Sequence, residues 1–154
     1  MEIRDLLTSE RVVANLKVTS KKQALQALSK KIAGLIGQDE RKIFELLLER
    51  ERLGTTGVGD GIAIPHGKLA SLDKLYGMFA RLERPVNFES IDERPVDLIF
   101  LLLAPETAGA DHLKALARIS RLLRDKKVCD KLRGSDTPEA LFALLTEQTA
   151  TRAA

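Results

Sequence analysis

The feature that most constrains the fold is an almost continuous apolar segment at residues 96–104, interrupted only by Asp97 and flanked by Pro95 and Pro105. Its short length and the flanking prolines favour a β-strand over a buried helix. A strand that is apolar at consecutive positions is buried on both faces, so helices must cover both sides of its sheet. The segment therefore predicts an α/β fold, with a mixed sheet flanked by helices on both faces.

Periodic patterns elsewhere in the chain fit the same architecture, with about four to six strands as in a typical sheet. Ser20 and Asp39 are expected to cap the starts of two helices, and Gly37 the end of the first. Asp111 is expected to cap a third, with Leu113, Leu116, Ala117, Ser120 and Leu123 on its inward face. The other predicted elements are a helical turn at 3–7, strands at 12–18, 62–64 and 75–82, a turn at Pro85 into a short edge element, and a helix after Thr137.

The length of 154 residues suits one domain with its own core. We expect the domain to occupy residues 1–148, and residues 149–154, which carry no apolar pattern, to form a frayed C-terminal tail.

Composition excludes several classes of protein. The 25 basic and 22 acidic residues are interspersed, so no concentrated basic face is expected and nucleic-acid binding is disfavoured. The single cysteine excludes an internal disulfide and fits a reducing compartment. Since no segment approaches the roughly 20 apolar residues that span a bilayer, and the N-terminus lacks a secretory pattern, we expect a cytoplasmic protein without membrane insertion.

Residues 54–68 contain half of the ten glycines, followed by a short apolar run and by Pro65 and His66. Proline restricts the backbone, so His66 is expected at the rim of a sheet with an open approach. An arginine before the loop, either Arg50 or Arg52, offers donors that match phosphate oxygens. The pattern predicts phosphoryl transfer to His66, with an anion-binding loop that comprises Thr55, Thr56, Gly57, Gly59 and Gly67.

Other sites fit this stretch less well. Gly61 and the Gly67-Lys68 pair are separated by five residues, where a P-loop has four, and Leu69 replaces its Ser or Thr. Two distant histidines and one cysteine form no metal-ligand cluster, and no serine lies in a nucleophile-elbow motif. We therefore expect no metal and no cofactor.

Residues 48–69, LERERLGTTGVGDGIAIPHGKL, resemble the signature of the fructose/mannitol-type IIA proteins of the bacterial phosphoenolpyruvate-dependent phosphotransferase system. The PHGKL ending and the lack of an attached domain are most similar to the nitrogen-regulatory branch, and the resemblance extends over about residues 3–145. It implies that His66 accepts the phosphoryl group, that Arg50 stabilises it, and that His112 orients it or donates a hydrogen bond. Asp60 stands where relatives often have asparagine, and it adds a negative charge.

The resemblance also implies partners. The donor would be an HPr-like protein, itself phosphorylated by an enzyme I, and the targets would be transporters or sensor kinases. One alternative is a sugar-specific IIA component that passes phosphate to a IIB partner. A second, of another class, is an unphosphorylated module that binds an anion or a protein.

Overall fold

The computed structural model describes the side chains of residues 1–147, and the predicted tail at 149–154 lies outside that range. Along the chain the elements are α1 (Ile3–Leu6), a 3₁₀ turn (Ser9–Arg11), β1 (Val12–Leu16), α2 (Lys21–Ile36), α3 (Glu40–Leu53), β2 (Gly57–Gly59), β3 (Ile62–Ala63), β4 (His66–Leu69), β5 (Tyr76–Val86), β6 (Val96–Pro105), α4 (Ala110–Leu123), α5 (Lys126–Arg133) and α6 (Pro138–Ala153).

The strands form one mixed sheet in the order β1-β5-β6-β3-β2. β6 is antiparallel to β5 and parallel to both β3 and β4, which follow one another along its other edge. β1 is parallel to β5, and β2 is antiparallel to β3. The predicted mixed sheet, with the apolar segment as a central strand, is confirmed.

Side chains of β6 alternate between two cores on the two faces of the sheet. Leu98, Phe100 and Leu102 pack against α1, α4, α5 and α6. Ile99 and Leu101 pack on the other face, against α2 and α3. All five are fully buried, and burial of each such side chain contributes about 1.5–3 kcal/mol. Helices therefore cover both faces of the sheet, as predicted.

The first two long helices begin at the predicted caps, and the first ends at the predicted Gly37. The Ser20 hydroxyl accepts the Gln23 amide at the start of α2, and Gly37 ends this helix with a left-handed φ of 69°. The Asp39 carboxylate accepts the amides of Arg41 and Lys42 at the start of α3. These caps satisfy amides and carbonyls that a helix leaves unpaired at its ends.

The prediction for α4 was wrong in its cap and in most of its buried face, where only Leu123 of the predicted residues is fully buried. Gly109, not Asp111, is the N-cap, and Leu113 is 68% exposed. The buried face consists of His112, Ala115, Ile119, Leu122 and Leu123. Of the predicted inward residues, Leu123 is buried, Leu116 and Ser120 are half-buried, and Leu113 and Ala117 are exposed. Tertiary packing rotates the buried face by about one residue and includes His112, which is polar by type.

The predicted turn at Pro85 was also wrong, because β5 continues to Val86, which pairs with Val96 of β6. β1 ends at Leu16, opposite Leu82 of β5. Pro85 lies beyond that pairing and is exposed, so its missing amide removes no hydrogen bond to β1.

No helix in the described part of the chain is long and apolar enough to span a lipid bilayer.

Two glycines at non-functional positions should respond oppositely to replacement by alanine. A Cβ atom on Gly77 of β5 would lie 2.8 Å from the Phe100 ring and 3.0 Å from the Leu6 carbonyl oxygen, so Gly77→Ala should destabilise the fold by about 1–3 kcal/mol. A Cβ atom on Gly34 of α2 meets nothing within 4 Å, and Gly34→Ala should stabilise it by about 0.5–1 kcal/mol. Urea denaturation measures both; equal stability of the two variants would contradict the packing described around Gly77.

Candidate functional site

His66 is the first residue of β4, directly after the break between β3 and β4. The carbonyl of Pro65 accepts the Leu102 amide at 2.9 Å, which ties this break to β6. A Cβ atom on Gly67 would lie 2.6 Å from the Leu46 side chain, so glycine allows α3 to pack closely on β4. The sheet and α3 together hold the half-buried His66 in place.

One ring nitrogen of His66 is occupied by a backbone group. Nδ1 lies 2.8 Å from the carbonyl oxygen of Ile64. A carbonyl oxygen can only accept, so Nδ1 carries the proton and donates it. In the neutral ring, Nε2 then keeps its lone pair and is the free nucleophile.

His112, in the first turn of α4, lies beside His66 although 46 positions separate them in sequence. The two ring centroids are 5.7 Å apart, with the ring planes tilted by 55°. His112 is only 7% exposed, and its Nδ1 atom is buried without a hydrogen-bond partner among the described residues. A buried polar atom without a protein partner is costly, so this nitrogen remains available to bond a polar group of a ligand.

Burial is the main cause of a lowered pKa for both histidines. For His66, the bond to the Ile64 carbonyl and the nearby Glu51 carboxylate partly offset this effect, whereas the Arg50 charge lowers the pKa further. For His112, neighbouring His66 and Lys68 add to the lowering. Because the ordinary histidine pKa is about 6.5, both rings are neutral near pH 7.

Arg50, in the last turn of α3, lines a shallow pocket together with His66. The pocket has a volume of about 200 Å³, and its other lining residues are Thr55, Thr56, Val58, Ile64, Leu116 and Ser120. Nη1 of Arg50 donates to the Gly54 carbonyl at 2.9 Å, which orients the guanidinium. Arg52 pairs instead with Glu49 on the exposed side of α3. Of the two arginines that the residue pattern left open, Arg50 is the one at the pocket.

The hydroxyl donors of Thr55 and Thr56 have partners within the protein. The Thr55 hydroxyl donates to the Phe88 carbonyl at 2.6 Å and accepts the Gly57 amide at 3.0 Å. The Thr56 amide and hydroxyl both donate to the Glu51 carboxylate. Thr55 and Thr56 therefore line the pocket within a loop that these hydrogen bonds hold in place.

Gly59 belongs to the hairpin between β2 and β3, with φ of 99°, followed by Asp60 and Gly61 with φ of 57° and 81°. Positive φ at two successive turn residues is typical of tight hairpins and explains the Asp-Gly pair. The Asp60 carboxylate pairs with Arg94 at 3.1 Å. Neither Gly59 nor Asp60 lines the pocket of His66, and Arg94 offsets the added charge of Asp60.

The sequence interpretation missed Glu51, Lys21 and Ser120. Ser120 lines the pocket, and the buried Glu51 carboxylate pairs with Lys21 at 3.3 Å. Glu51 is next to Arg50 in the sequence, but only the fold brings Lys21 of α2 to Glu51.

Within the residues the structure describes, no group of three or more His, Cys, Asp or Glu side chains is placed to hold a metal ion.

Comparison with known families and proteins gives concordant matches along nearly the whole chain. The sequence profile of the family described as "Phosphoenolpyruvate-dependent sugar phosphotransferase system, EIIA 2" matches residues 5–148. The chain is 61% identical, over 99% of its length and 100% of the relative's, to the nitrogen regulatory protein of Bradyrhizobium diazoefficiens. It is 38% identical to the nitrogen regulatory protein of Escherichia coli, over 96% of this chain and 91% of that protein.

Among solved structures, the nitrogen regulatory protein IIA-Ntr of Neisseria meningitidis superimposes with a TM-score of 0.88 at 35% sequence identity. The match covers 94% of this chain and 99% of that one. The resemblance noted in residues 48–69 is therefore confirmed by comparisons that extend far beyond that segment.

The two neutral histidines should make the fold less stable in mild acid. Their pKa values are lowered in the folded protein, so below pH 6.5 the unfolded chain binds more protons than the folded one. The free energy of unfolding should then fall as the pH falls from 7 to 5.5, by up to about 1.4 kcal/mol per pH unit for each histidine.

Urea denaturation across this pH range measures the slope. The double variant His66→Gln/His112→Gln should show a flatter profile than the parent protein. A parental slope in the double variant would contradict the assignment of these two groups as neutral in the fold.

Proposed function

This chain belongs to the EIIA 2 family of the phosphoenolpyruvate-dependent sugar phosphotransferase system, and we propose that it is a phosphohistidine carrier of the nitrogen-regulatory type, with Nε2 of His66 as acceptor. The observation that carries the proposal is the bond from Nδ1 of His66 to the Ile64 carbonyl. That bond leaves one ring nitrogen free, unprotonated and at a pocket that also contains a guanidinium.

The transfer would proceed by in-line displacement at phosphorus. The lone pair of Nε2 attacks the phosphorus atom of a phosphorylated, HPr-like donor protein. The bond from phosphorus to the donor breaks, and its electron pair stays with the donor. Nδ1 of His66 keeps its proton and its bond to Ile64, so no base is required.

Arg50 would neutralise the phosphoryl oxygens, over which negative charge spreads in the transition state. Its position at the pocket of His66 supports this role, as does the bond to Gly54 that orients it before the donor arrives. The side chains of Ile64 and Leu116 would add apolar surface beside the phosphoryl group.

His112 would donate a hydrogen bond to the phosphoryl group on His66. Its ring lies 5.7 Å from that of His66, centroid to centroid, and its Nδ1 atom lacks a partner among the described residues. A phosphoryl oxygen is a strong acceptor. The bond would satisfy a buried group and orient the phosphoryl group at once.

The carrier would act mainly as a regulator in the cytoplasm. Relatives named nitrogen regulatory proteins, similar over almost the full chain, favour this interpretation over a sugar-specific component that feeds a IIB partner. Addition of a phosphoryl group places about two negative charges beside the exposed Val58, which lines the same pocket. We infer that this change of charge alters affinity for regulated transporters or sensor kinases.

Loss of the acceptor nitrogen should abolish phosphorylation. After incubation with phosphoenolpyruvate, enzyme I and an HPr-like donor, the intact parent protein should gain the mass of one phosphoryl group, and acid should remove it. His66→Ala should gain nothing. If the parent gains no mass from donors shown to be charged, the chain is a binding module in which His66 is not phosphorylated.

Arg50 and Arg52 allow a matched comparison of two alanine variants. Arg50→Ala should lower the rate of phosphorylation by about 10²–10³-fold, because a preorganised donor to the transition state is lost. Arg52→Ala, which among the described residues removes an exposed pair with Glu49, should react at close to the parental rate. Quenched-flow sampling with mass detection gives both rates, and equal loss in the two variants would count against a specific role for Arg50.

A further inference from the structure

Glu51 is a buried carboxylate that the phosphoryl-transfer steps above do not use. It follows Arg50 in the last turn of α3 and is only 8% exposed. Its oxygens accept the Thr56 amide at 2.9 and 3.0 Å and the Thr56 hydroxyl at 2.9 Å. Lys21 of α2 supplies the opposite charge at 3.3 Å. Both oxygens of this buried side chain therefore have hydrogen-bond or ion-pair partners.

The hydrogen bonds of Thr56 lead from Glu51 to the reacting histidine. The Thr56 carbonyl accepts the Ile64 amide at 3.0 Å, which extends the pairing of β2 with β3 by one residue. The Ile64 carbonyl accepts the proton of His66 Nδ1 at 2.8 Å. Thr56 and Ile64 are thus the two links between the carboxylate and the ring.

We propose that Glu51 is a positioning residue for phosphoryl transfer: it holds Thr56, and through Thr56 the Ile64 carbonyl, so that His66 keeps its proton on Nδ1 and presents Nε2. The inference rests on the proposed function of His66. Glu51 does not touch the phosphoryl group. It acts through the loop that sets the orientation and the tautomer of the nucleophile.

Two features favour this role over a purely structural one. The Ile64 carbonyl precedes Pro65, whose ring restricts the backbone, so a shift of Ile64 moves the carbonyl and His66 together. Lys21, the partner of Glu51, also donates to the Phe88 carbonyl at 3.4 Å. That same carbonyl accepts the Thr55 hydroxyl. Both threonines at the start of the glycine-rich loop are therefore fixed by one network centred on Glu51 and Lys21.

The nucleophile is sensitive to such positioning. A misplacement of about 1 Å in a reacting group costs on the order of 100-fold in rate. Glu51 is only 8% exposed, so it offers little surface to a donor protein. Loss of Glu51 should therefore lower the maximal rate of phosphorylation and leave the half-saturating concentration of the donor unchanged.

The first test compares Glu51→Gln and Glu51→Ala with Glu49→Gln, an exposed carboxylate on the same helix that pairs only with Arg52 among the described residues. Ring ¹⁵N chemical shifts of His66, recorded above its pKa, report the tautomer. The parent and Glu49→Gln should show a protonated Nδ1 and an unprotonated Nε2. In the Glu51 variants the two shifts should move toward each other, and the maximal rate should fall by about 10–100-fold.

Thr56 provides a second test if the Glu51 variants do not fold. Thr56→Val removes the hydroxyl donor to Glu51, whereas Thr56→Ser retains it. Thr56→Val should show a mixed tautomer and a reduced maximal rate, and Thr56→Ser should restore both. A purely structural role of the network would lower stability in Thr56→Val without a change in the His66 ring shifts, and would overturn the proposal.

The positioning role of Glu51 and the phosphorylation of His66 can be overturned independently. Parental ring shifts and a parental maximal rate in folded Glu51 or Thr56 variants overturn the role of Glu51, while phosphorylation of His66 stands. If no charged donor phosphorylates the parent, the proposed function fails. In that case altered ring shifts in the Glu51 variants still support the positioning of His66, and parental ones overturn it.

Discussion

The whole structure depends on the burial of β6 on both faces. Consecutive apolar side chains of this strand enter two separate cores, one under α2 and α3 and the other under α1, α4, α5 and α6. Its edges are occupied as well, by β5 on one side and by β3 and then β4 on the other. No other arrangement of a strand removes so much apolar surface from water per residue.

The site lies where that regular pairing is interrupted. β3 and β4 share one edge of β6, and the chain between them passes through Ile64 and Pro65. At such a break a carbonyl is released from the ladder, and here the Ile64 carbonyl binds the His66 ring. The end of α3 adds Arg50 and the start of α4 adds His112, so three elements converge on the break.

The electrostatics of the site favour a nucleophile at neutral pH. Burial and the Arg50 charge lower the pKa of His66, while Glu51 and the Ile64 carbonyl resist part of that change. The ring is then neutral, yet one nitrogen is committed to a proton. The cationic Arg50 and the positive end of the α4 dipole both suit the arrival of a dianionic group. A ring that stayed protonated would offer no lone pair to phosphorus.

The sequence by itself determined the fold class, most of the elements and the segment that contains the site. The two-faced burial of β6, the caps at Ser20, Gly37 and Asp39, and the combination of Arg50, glycines and His66 all depend on local composition and spacing. Such features can be predicted from sequence because they involve residues within a few positions of one another. The profile match over residues 5–148 confirms the family that residues 48–69 indicated.

Only the tertiary structure decided the groups that meet from distant parts of the chain. The pairing of His112 with His66, the salt bridge of Lys21 with Glu51, and the buried face of α4 required the packed sheet. The sequence also could not predict which ring nitrogen of His66 is free, because that depends on the hydrogen bond from Nδ1 to the Ile64 backbone carbonyl. Hydrogen bonds to main-chain groups cannot be predicted from residue types. The burial of a polar residue such as His112 cannot be predicted either, because it depends on how the helix packs on the sheet.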